Sequence, residues 1–161
     1  MLYTYLDSPV GRLFLAGTKQ TLEVISFPGG SKARTPLPEW ERDDAAFDAA
    51  KRQLLEYFDG ARKRFDLPLV PHGTPFQRRV LDALLTIPYG ETRSYRDVAR
   101  VIGRPDAVRA VGAANGSNPL PIVIPCHRVI GADGSLTGFG GGLDRKRHLL
   151  ELESRHSGLF G

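Results

Sequence analysis

The sequence has one cysteine among 161 residues, one methionine, one tryptophan and no long hydrophobic run. One cysteine excludes an intramolecular disulfide, and with four scattered histidines it does not make a structural zinc site of the usual spacing. No stretch of eighteen apolar residues exists, so we expect neither a transmembrane helix nor a membrane partner. The first residues lack the basic and apolar regions of a signal peptide, which predicts a cytoplasmic protein, or a nuclear one if the source is eukaryotic.

The net charge of +4 arises in one part of the chain. Residues 1–73 contain ten cationic and ten acidic side chains, whereas residues 74–161 contain twelve and eight. All of those twelve cations except Lys146 are arginine, which binds phosphate through two N–H groups and stacks on bases. The second part therefore indicates a nucleic-acid surface, and a solvated basic surface is the alternative.

The first 73 residues are typical of a small sheet followed by a helix. The predicted elements are three strands and one helix, at residues 2–6, 12–16, 22–27 and 43–58. Gly60 ends the helix, a Gly- and Pro-rich loop is expected over 28–38, and the domain boundary is expected within 64–73.

From residue 74 onward the sequence predicts short helices with clear signals at their ends. Thr74 precedes a proline at the first helical position, and Ser94 with Asp97 is similar to a capping box. The predicted helices cover residues 75–85, 95–102, 106–114 and 143–153. The second and third, joined at Gly103, indicate a helix-turn-helix. We therefore predict an α+β protein with a sheet-plus-helix domain at 1–73 and a mainly helical domain at 74–161.

The third of these helices is unusually poor in large side chains. Its small residues are Ala107, Ala110, Gly112, Ala113 and Ala114. They indicate either tight packing against the preceding helix or close approach to a DNA groove, with Arg109 protruding from a smooth surface.

The lone cysteine follows an apolar stretch. Residues 120–125 predict a buried extended segment that ends at Cys126. Val129 and Ile130, followed by an Asp133-Gly134 turn, predict a hairpin, and a flexible glycine-rich loop is expected at 137–142.

Cys126 has three interpretations from its neighbours alone. A lone cysteine is commonly a small core residue. The adjacent His127 and Arg128 are cations of the kind that raise the thiolate fraction. In an extended segment adjacent side chains point to opposite faces, so His127 need not touch Cys126 directly, and a water could relay the proton. A peptidase-like thiol hydrolase stays open, although it would need an oxyanion hole and an orienting group.

The motif Pro125-Cys126-His127-Arg128-Val129, preceded by Asn118-Pro119 and followed by TGFGGGL at 137–143, resembles the O6-alkylguanine-DNA alkyltransferase family. The resemblance covers residues 74–153 closely and in order. Residues 1–73 agree in broad layout only, which implies a ribonuclease-H-like bracing domain.

The resemblance implies a role for each residue of the motif region. Cys126 matches the alkyl acceptor, His127 the base that deprotonates it through a water, and Glu153 the carboxylate that orients this histidine. Asn118 matches the residue that holds the active-site loop, and Tyr95 the tyrosine that contacts the lesion base and a phosphate.

The resemblance also implies a DNA surface and a base pocket. Arg109 matches the finger that enters the duplex, with further DNA contacts expected from Tyr95, Thr92, Ser94, Ala110 and Arg128. The base pocket would contain Val129, Phe139, Gly140 and Lys146. Gly140 replaces a serine of some members and Phe139 a tyrosine, which puts the range of tolerated alkyl groups in doubt. The zinc ligands of animal members are absent.

The resemblance implies single-turnover repair of double-stranded DNA, and we expect a monomer. An alkyl group would move irreversibly from flipped-out O6-alkylguanine, and from O4-alkylthymine if it is accepted, to Cys126. No metal or cofactor is expected. The alternative function is a non-catalytic sensor of alkylated DNA or a helix-turn-helix regulator; relatives that only sense damage lack the acceptor cysteine.

Overall fold

A computed structural model describes residues 1–30 and 32–157 of the chain. Residues 158–161, the end of the predicted second domain, and Ser31, in the predicted loop 28–38, lie outside the described residues. The strands are β1 Leu2–Ser8, β2 Gly11–Gly17, β3 Leu22–Ser26, β4 Glu41–Arg42, β5 Arg93–Ser94 and β6 Val129–Ile130. The helices are α1 Asp48–Phe58, α2 Pro75–Leu84, α3 Tyr95–Val101, α4 Val108–Gly116 and α5 Leu143–His156, and Cys126–Arg128 form one 3₁₀ turn.

The first half of the chain builds a four-stranded sheet in the order β3-β2-β1-β4. The pairs β1–β2 and β2–β3 are antiparallel, whereas β4 pairs with β1 in parallel. The predicted three strands and following helix are present, and the two-residue β4 was missed. An α+β fold is confirmed.

The prediction for α1 was five residues too long at its start. Asp43 Oδ1 instead accepts a hydrogen bond from the Ala45 N–H at 3.1 Å, and Asp44 Oδ1 accepts one from the Thr4 hydroxyl at 2.8 Å. Aspartates that bond nearby backbone and side-chain donors favour turns over helix interiors, so the helix begins only at Asp48.

Two helices of the second half, α2 and α3, begin at their capping residues. Thr74 and Ser94 each form a complete capping box, with Gln77 and Asp97 respectively. The helices α2, α3 and α4 pack against one another. One hydrophobic core runs through both halves of the chain and includes Leu13, Leu54, Leu81, Val111 and Leu149.

Two local predictions around Cys126 were wrong. Residues 120–125 are buried but form a series of turns rather than an extended segment, and the N–H of Ile124 bonds the Leu120 carbonyl at 2.9 Å. An apolar run alone does not distinguish a strand from a buried turn. The Asp133-Gly134 turn exists, but β6 pairs in parallel with the distant β5 and not with a following strand.

Candidate active site

The single cysteine lies at the start of the 3₁₀ turn and is 4% exposed. Two asparagines hold this part of the backbone. Asn115 Nδ2 donates to the Cys126 carbonyl at 3.3 Å, and Asn118 Nδ2 donates to the Ile124 carbonyl at 2.8 Å. Asn118 Oδ1 also accepts from the Leu120 N–H at 2.9 Å, so one amide side chain fixes both ends of the segment that leads to the cysteine.

Ile122, four residues before the cysteine, has a left-handed backbone with φ of 75°. A β-branched residue rarely adopts this conformation, which costs about 1–3 kcal/mol. The side chain is 1% exposed, so burial and the Asn118 bonds keep the backbone in place. The sequence gives no signal of this conformation, since turns of this kind usually contain glycine.

Behind the cysteine, the carboxylate of Glu153 accepts hydrogen bonds from four residues, and we call this set the rear network. Oε2 accepts from Tyr57 Oη at 2.6 Å, His127 Nε2 at 2.6 Å and Arg128 Nη2 at 3.0 Å. Oε1 accepts from Arg128 Nε at 2.8 Å and the Gly90 N–H at 3.0 Å. The four side chains Tyr57, His127, Arg128 and Glu153 are all buried.

The rear network fixes the charge states of Glu153 and His127. Burial alone would raise the pKa of Glu153, but the hydrogen bonds from His127 and Arg128 lower it well below its ordinary 4.5. Burial lowers the pKa of His127 below 6.5, and the nearby Glu153 offsets only part of this shift. A neutral His127 that donates Nε2–H to an ionised Glu153 leaves the lone pair on Nδ1. This Nδ1 is buried and has no hydrogen-bond partner among the described residues.

The thiol of Cys126 is held in its neutral form. Burial raises its pKa from 9.0 to about 11, against opposing effects from the Asn118 side chain and the charge of Lys146. Since the thiolate is the reactive form of cysteine, a reaction near neutral pH needs a base to remove the proton.

A cavity of about 220 Å³ opens at Cys126 and is walled by both halves of the chain. The second half contributes Phe139 and Gly140, two of the expected base-pocket residues. The first half contributes Phe27 and the exposed Lys32 and Arg34, which sequence reasoning did not assign to the site.

At the front of this cavity, the segment 27–30 lies directly on the loop 137–142. The rings of Phe27 and Phe139 are 5.5 Å apart. A Cβ on Gly30 would collide with the Gly140 carbonyl oxygen, and a Cβ on Gly140 would lie 2.8 Å from Lys32 Cγ. The absence of a side chain at Gly140 therefore leaves room for the Lys32 side chain of the first half.

The other expected base-pocket residues do not line this cavity. Lys146 is fully buried, and its Nζ donates to the carbonyls of Val129 at 2.6 Å and Thr137 at 2.9 Å. Tyr95 Oη donates to the same Thr137 carbonyl at 3.2 Å, and its ring lies 6.0 Å from Lys146 Nζ. Lys146 and Tyr95 instead hold the loop 137–142 through its Thr137 carbonyl.

The expected DNA-contacting residues mostly lie at the surface of α3 and α4. Arg109, Ala110 and Thr92 are exposed, and Ser94 is partly exposed while its hydroxyl caps α3. The four alanines at the start of and within α4 divide into two sets. Ala107 and Ala114 are buried, which fits tight packing, whereas Ala110 and Ala113 are exposed beside Arg109, which leaves a smooth face for a groove.

Arg128 is the exception, and a DNA contact does not fit its position. It is 7% exposed, its Nε and Nη2 bond Glu153, and its Nη1 donates to the Ile87 carbonyl at 2.7 Å. Because every guanidinium nitrogen has a buried acceptor, Arg128 neutralises Glu153 instead of meeting a phosphate.

Besides Phe27, Lys32 and Arg34, two further contributors to the site were missed, Tyr57 and Asn115. A tyrosine in the buried stripe of a helix requires a partner for its hydroxyl, so a signal for Tyr57 existed, but it did not say which partner. Asn115 follows the predicted helix 106–114, and a buried amide likewise needs hydrogen-bond partners.

Within the described residues no cluster of three or more His, Cys, Asp or Glu side chains is placed to hold a metal ion. Across 1–30 and 32–157, no helix combines the length and the apolar character that crossing a bilayer requires.

Comparison with known families covers nearly the whole chain. Residues 75–155 match the family described as "6-O-methylguanine DNA methyltransferase, DNA binding domain". Residues 1–71 match "6-O-methylguanine DNA methyltransferase, ribonuclease-like domain".

Individual relatives agree with this assignment. A methylated-DNA--protein-cysteine methyltransferase of Methanosarcina acetivorans is 49% identical over 95% of this chain and 98% of its own length. One from Mycobacterium tuberculosis is 54% identical over 94% of this chain and 91% of its own. The crystal structure of M. tuberculosis OGT in complex with DNA matches with a TM-score of 0.91 and 52% identity, over 97% of this chain and 94% of that one. The chain therefore belongs to the 6-O-methylguanine DNA methyltransferase family.

Proposed function

We propose that this protein repairs DNA by moving an alkyl group from O6-alkylguanine directly and irreversibly to Cys126, acting once per molecule. The observation that carries the proposal is the arrangement behind the sole cysteine, where Glu153 holds His127 with its unpartnered Nδ1 available as a base. DNA is the partner, as the matching DNA-binding domain indicates. We further propose that the protein acts as a monomer in the cytoplasm.

The transfer requires a proton to leave the sulfur first. His127 Nδ1 takes the Cys126 proton through a water molecule, and the positive charge that forms on the imidazole is stabilised by Glu153 at 2.6 Å. Lys146 favours the thiolate, since its charge acts against the effect of burial on Cys126. No metal or redox partner takes part in this step.

The bond changes then balance without a further reactant. The thiolate attacks the alkyl carbon in line, a carbon–sulfur bond forms, and the bond between that carbon and guanine O6 breaks. The electron pair stays on the purine, which takes up the proton and becomes guanine. The product on the protein is a thioether, and no group in the site reverses it.

The lesion must leave the helix before it can reach a buried sulfur. Flipping a base costs a few kcal/mol and less for a base that pairs poorly. Arg109 occupies the gap that the flipped base leaves, and Tyr95 contacts the base and a phosphate. Ala110, Thr92 and Ser94 lie against the DNA backbone. Asn118 keeps the cysteine segment in place, and Phe139 and Gly140 border the alkyl group, for which the cavity of about 220 Å³ provides the room.

The test is the intact mass of the protein after incubation with duplex DNA that contains O6-methylguanine, followed by peptide mapping. We expect a gain of one methyl in place of one hydrogen, confined to the Cys126 peptide, and no second addition. Cys126→Ser should bind the same DNA and gain no mass. A protein that binds this DNA without any mass change would instead be a sensor, and transfer by the Ser variant would contradict the mechanism.

The finger assignment has its own test. Arg109→Ala should slow repair of duplex DNA about tenfold, equivalent to about 1.4 kcal/mol, while reaction with free O6-benzylguanine stays near the wild-type rate. Arg155→Ala removes the same charge from an exposed position on α5 and serves as the control. Equal losses of Arg109→Ala on both substrates would contradict the assignment.

A further inference from the structure

Tyr57 brings the first half of the chain into contact with the reacting groups. It lies on α1, is fully buried, and its hydroxyl donates to Glu153 Oε2 at 2.6 Å across a separation of 96 residues. Neither the motif region nor the resemblance to a family pointed to this residue.

The position of the hydroxyl is fixed by the packing of its ring. Tyr57 contacts Phe58 and Phe65 with ring centroids 5.5 Å apart in each case, and Tyr89 at 6.2 Å. Since these contacts hold the ring from several sides, the O–H has little freedom to leave Glu153.

The carboxylate does not need Tyr57 merely to be satisfied. Without it, Oε2 would still accept from His127 and Arg128, and Oε1 would keep its two donors. A third donor on Oε2 instead draws negative charge away from the oxygen that holds the His127 N–H. It also limits the directions in which Glu153 can turn.

We propose that Tyr57 is a positioning residue for the alkyl transfer, which sets the orientation and acceptor strength of Glu153 and thereby the basicity of His127. The inference rests on the proposed function, because it gives His127 the role of base. Tyr57 touches neither Cys126 nor the DNA in this scheme. The first half of the chain would then tune the chemistry as well as support the second half.

Other titratable groups lie near His127 and Glu153. Arg128 bonds Glu153, and the charges of Arg128 and Lys146 both act on His127. Tyr89 lies close enough to Glu153 for burial and that charge to raise the pKa of its own phenol, but its hydroxyl has no hydrogen-bond partner among the described residues. Tyr57 is therefore the tyrosine whose O–H reaches the carboxylate, and Tyr89 supplies the matched control.

The test compares Tyr57→Phe with Tyr89→Phe, each of which removes one buried hydroxyl and keeps the ring. The measurement is the rate of Cys126 alkylation by free O6-benzylguanine and by duplex DNA with O6-methylguanine, from pH 5 to pH 9. We expect Tyr57→Phe to react about tenfold more slowly with both substrates, because Glu153 and His127 lose their fixed orientation and this loss outweighs the higher basicity of His127. Its loss of activity at acid should begin about half a pH unit higher than in the wild type, because a more basic Glu153 retains the proton on His127. Tyr89→Phe should follow the wild-type profile.

The outcomes separate the two proposals. A wild-type protein that does not react with the duplex DNA containing O6-methylguanine overturns the proposed function and this inference with it. A reactive wild type with a Tyr57→Phe profile that is merely lower, or equal to that of Tyr89→Phe, overturns the inference alone. If Tyr57→Phe does not fold, 3-fluorotyrosine at position 57 keeps the ring and strengthens the donor. The acid limb should then move to lower pH, and an unmoved limb contradicts the inference.

Discussion

The rear and the front of the Cys126 site are held by different forces. At the rear, Glu153 accepts five hydrogen bonds from buried or backbone donors, and the directions of these bonds allow its carboxylate one orientation. At the front, the segment 27–30 and the loop 137–142 meet mainly through shape, glycine against glycine and ring against ring. Directional bonds thus hold the side where a proton moves, whereas close packing between the described residues of the two segments shapes the side where a base must enter.

The largest expected effect comes from removing the charge at the rear. Glu153→Gln leaves the Arg128 guanidinium buried without its counter-ion, which should lower the free energy of unfolding by about 3–5 kcal/mol. Chemical denaturation of the variant measures the loss. Glu151→Gln, two residues away on the exposed face of α5, should change stability by less than about 0.5 kcal/mol. Similar free energies of unfolding for both variants would show that the rear network stabilises the protein no more than an exposed carboxylate does.

Acid should weaken the rear selectively. The pKa values of His127 and Glu153 in the folded protein lie below their ordinary values of 6.5 and 4.5. As the pH falls below each ordinary value, the unfolded chain takes up a proton that the folded chain does not, so stability is lost by up to about 1.4 kcal/mol per pH unit per group. Denaturation from pH 7.5 to pH 4 should show the wild-type advantage over Glu153→Gln shrinking below pH 4.5. A constant advantage would contradict the shifted carboxylate.

A smaller effect is expected from filling the front. Gly30→Ala places a Cβ against the Gly140 backbone carbonyl, which must move, and should cost about 1–3 kcal/mol in the free energy of unfolding. Because the displaced loop 137–142 borders the cavity, the alkylation rate should fall as well, with the pH profile unchanged. Equal stability of variant and wild type would mean that the two segments do not pack as described.

The smallest effect is expected from the opposite partner. Gly140→Ala places a Cβ 2.8 Å from Lys32 Cγ and 3.1 Å from Lys32 Cβ, so this exposed side chain must shift, and we expect a cost of about 1 kcal/mol, below that of Gly30→Ala, which meets backbone. Neither Gly30 nor Gly140 has a positive φ, so the pair compares space alone. A larger loss of stability for Gly140→Ala than for Gly30→Ala would show that Lys32 adjusts less easily than the Gly140 backbone.

Predictability from the sequence followed the locality of the signals. Helix starts were predicted well where a side chain such as Thr74 or Ser94 caps its own backbone, since that information lies within three residues. The parallel pairing of β6 with β5 was not predicted, because each strand is two residues long and 34 residues lie between them. A hairpin was the local solution, and tertiary contacts overrode it.

The same distinction applies to the site. The family motif placed Cys126, His127 and Glu153, and the structure brings His127 and Glu153 together. It did not indicate Tyr57, Phe27 or Lys32, since these residues reach the site from the first half through packing over long separations. Arg128 was misassigned to DNA because an arginine beside a reactive cysteine has the same sequence pattern whether it faces a phosphate or a buried carboxylate.

The burial of the only thiol has a consequence for quantifying the protein. In the proposed reaction each repair removes one thiol, and the chain contains no other that would contribute a background. The sulfhydryl count after denaturation therefore equals the number of molecules still able to act, whereas the native protein, with its cysteine 4% exposed, should react slowly with bulky thiol reagents. A cell that relies on this protein holds its repair capacity as a finite stock, which only new synthesis restores.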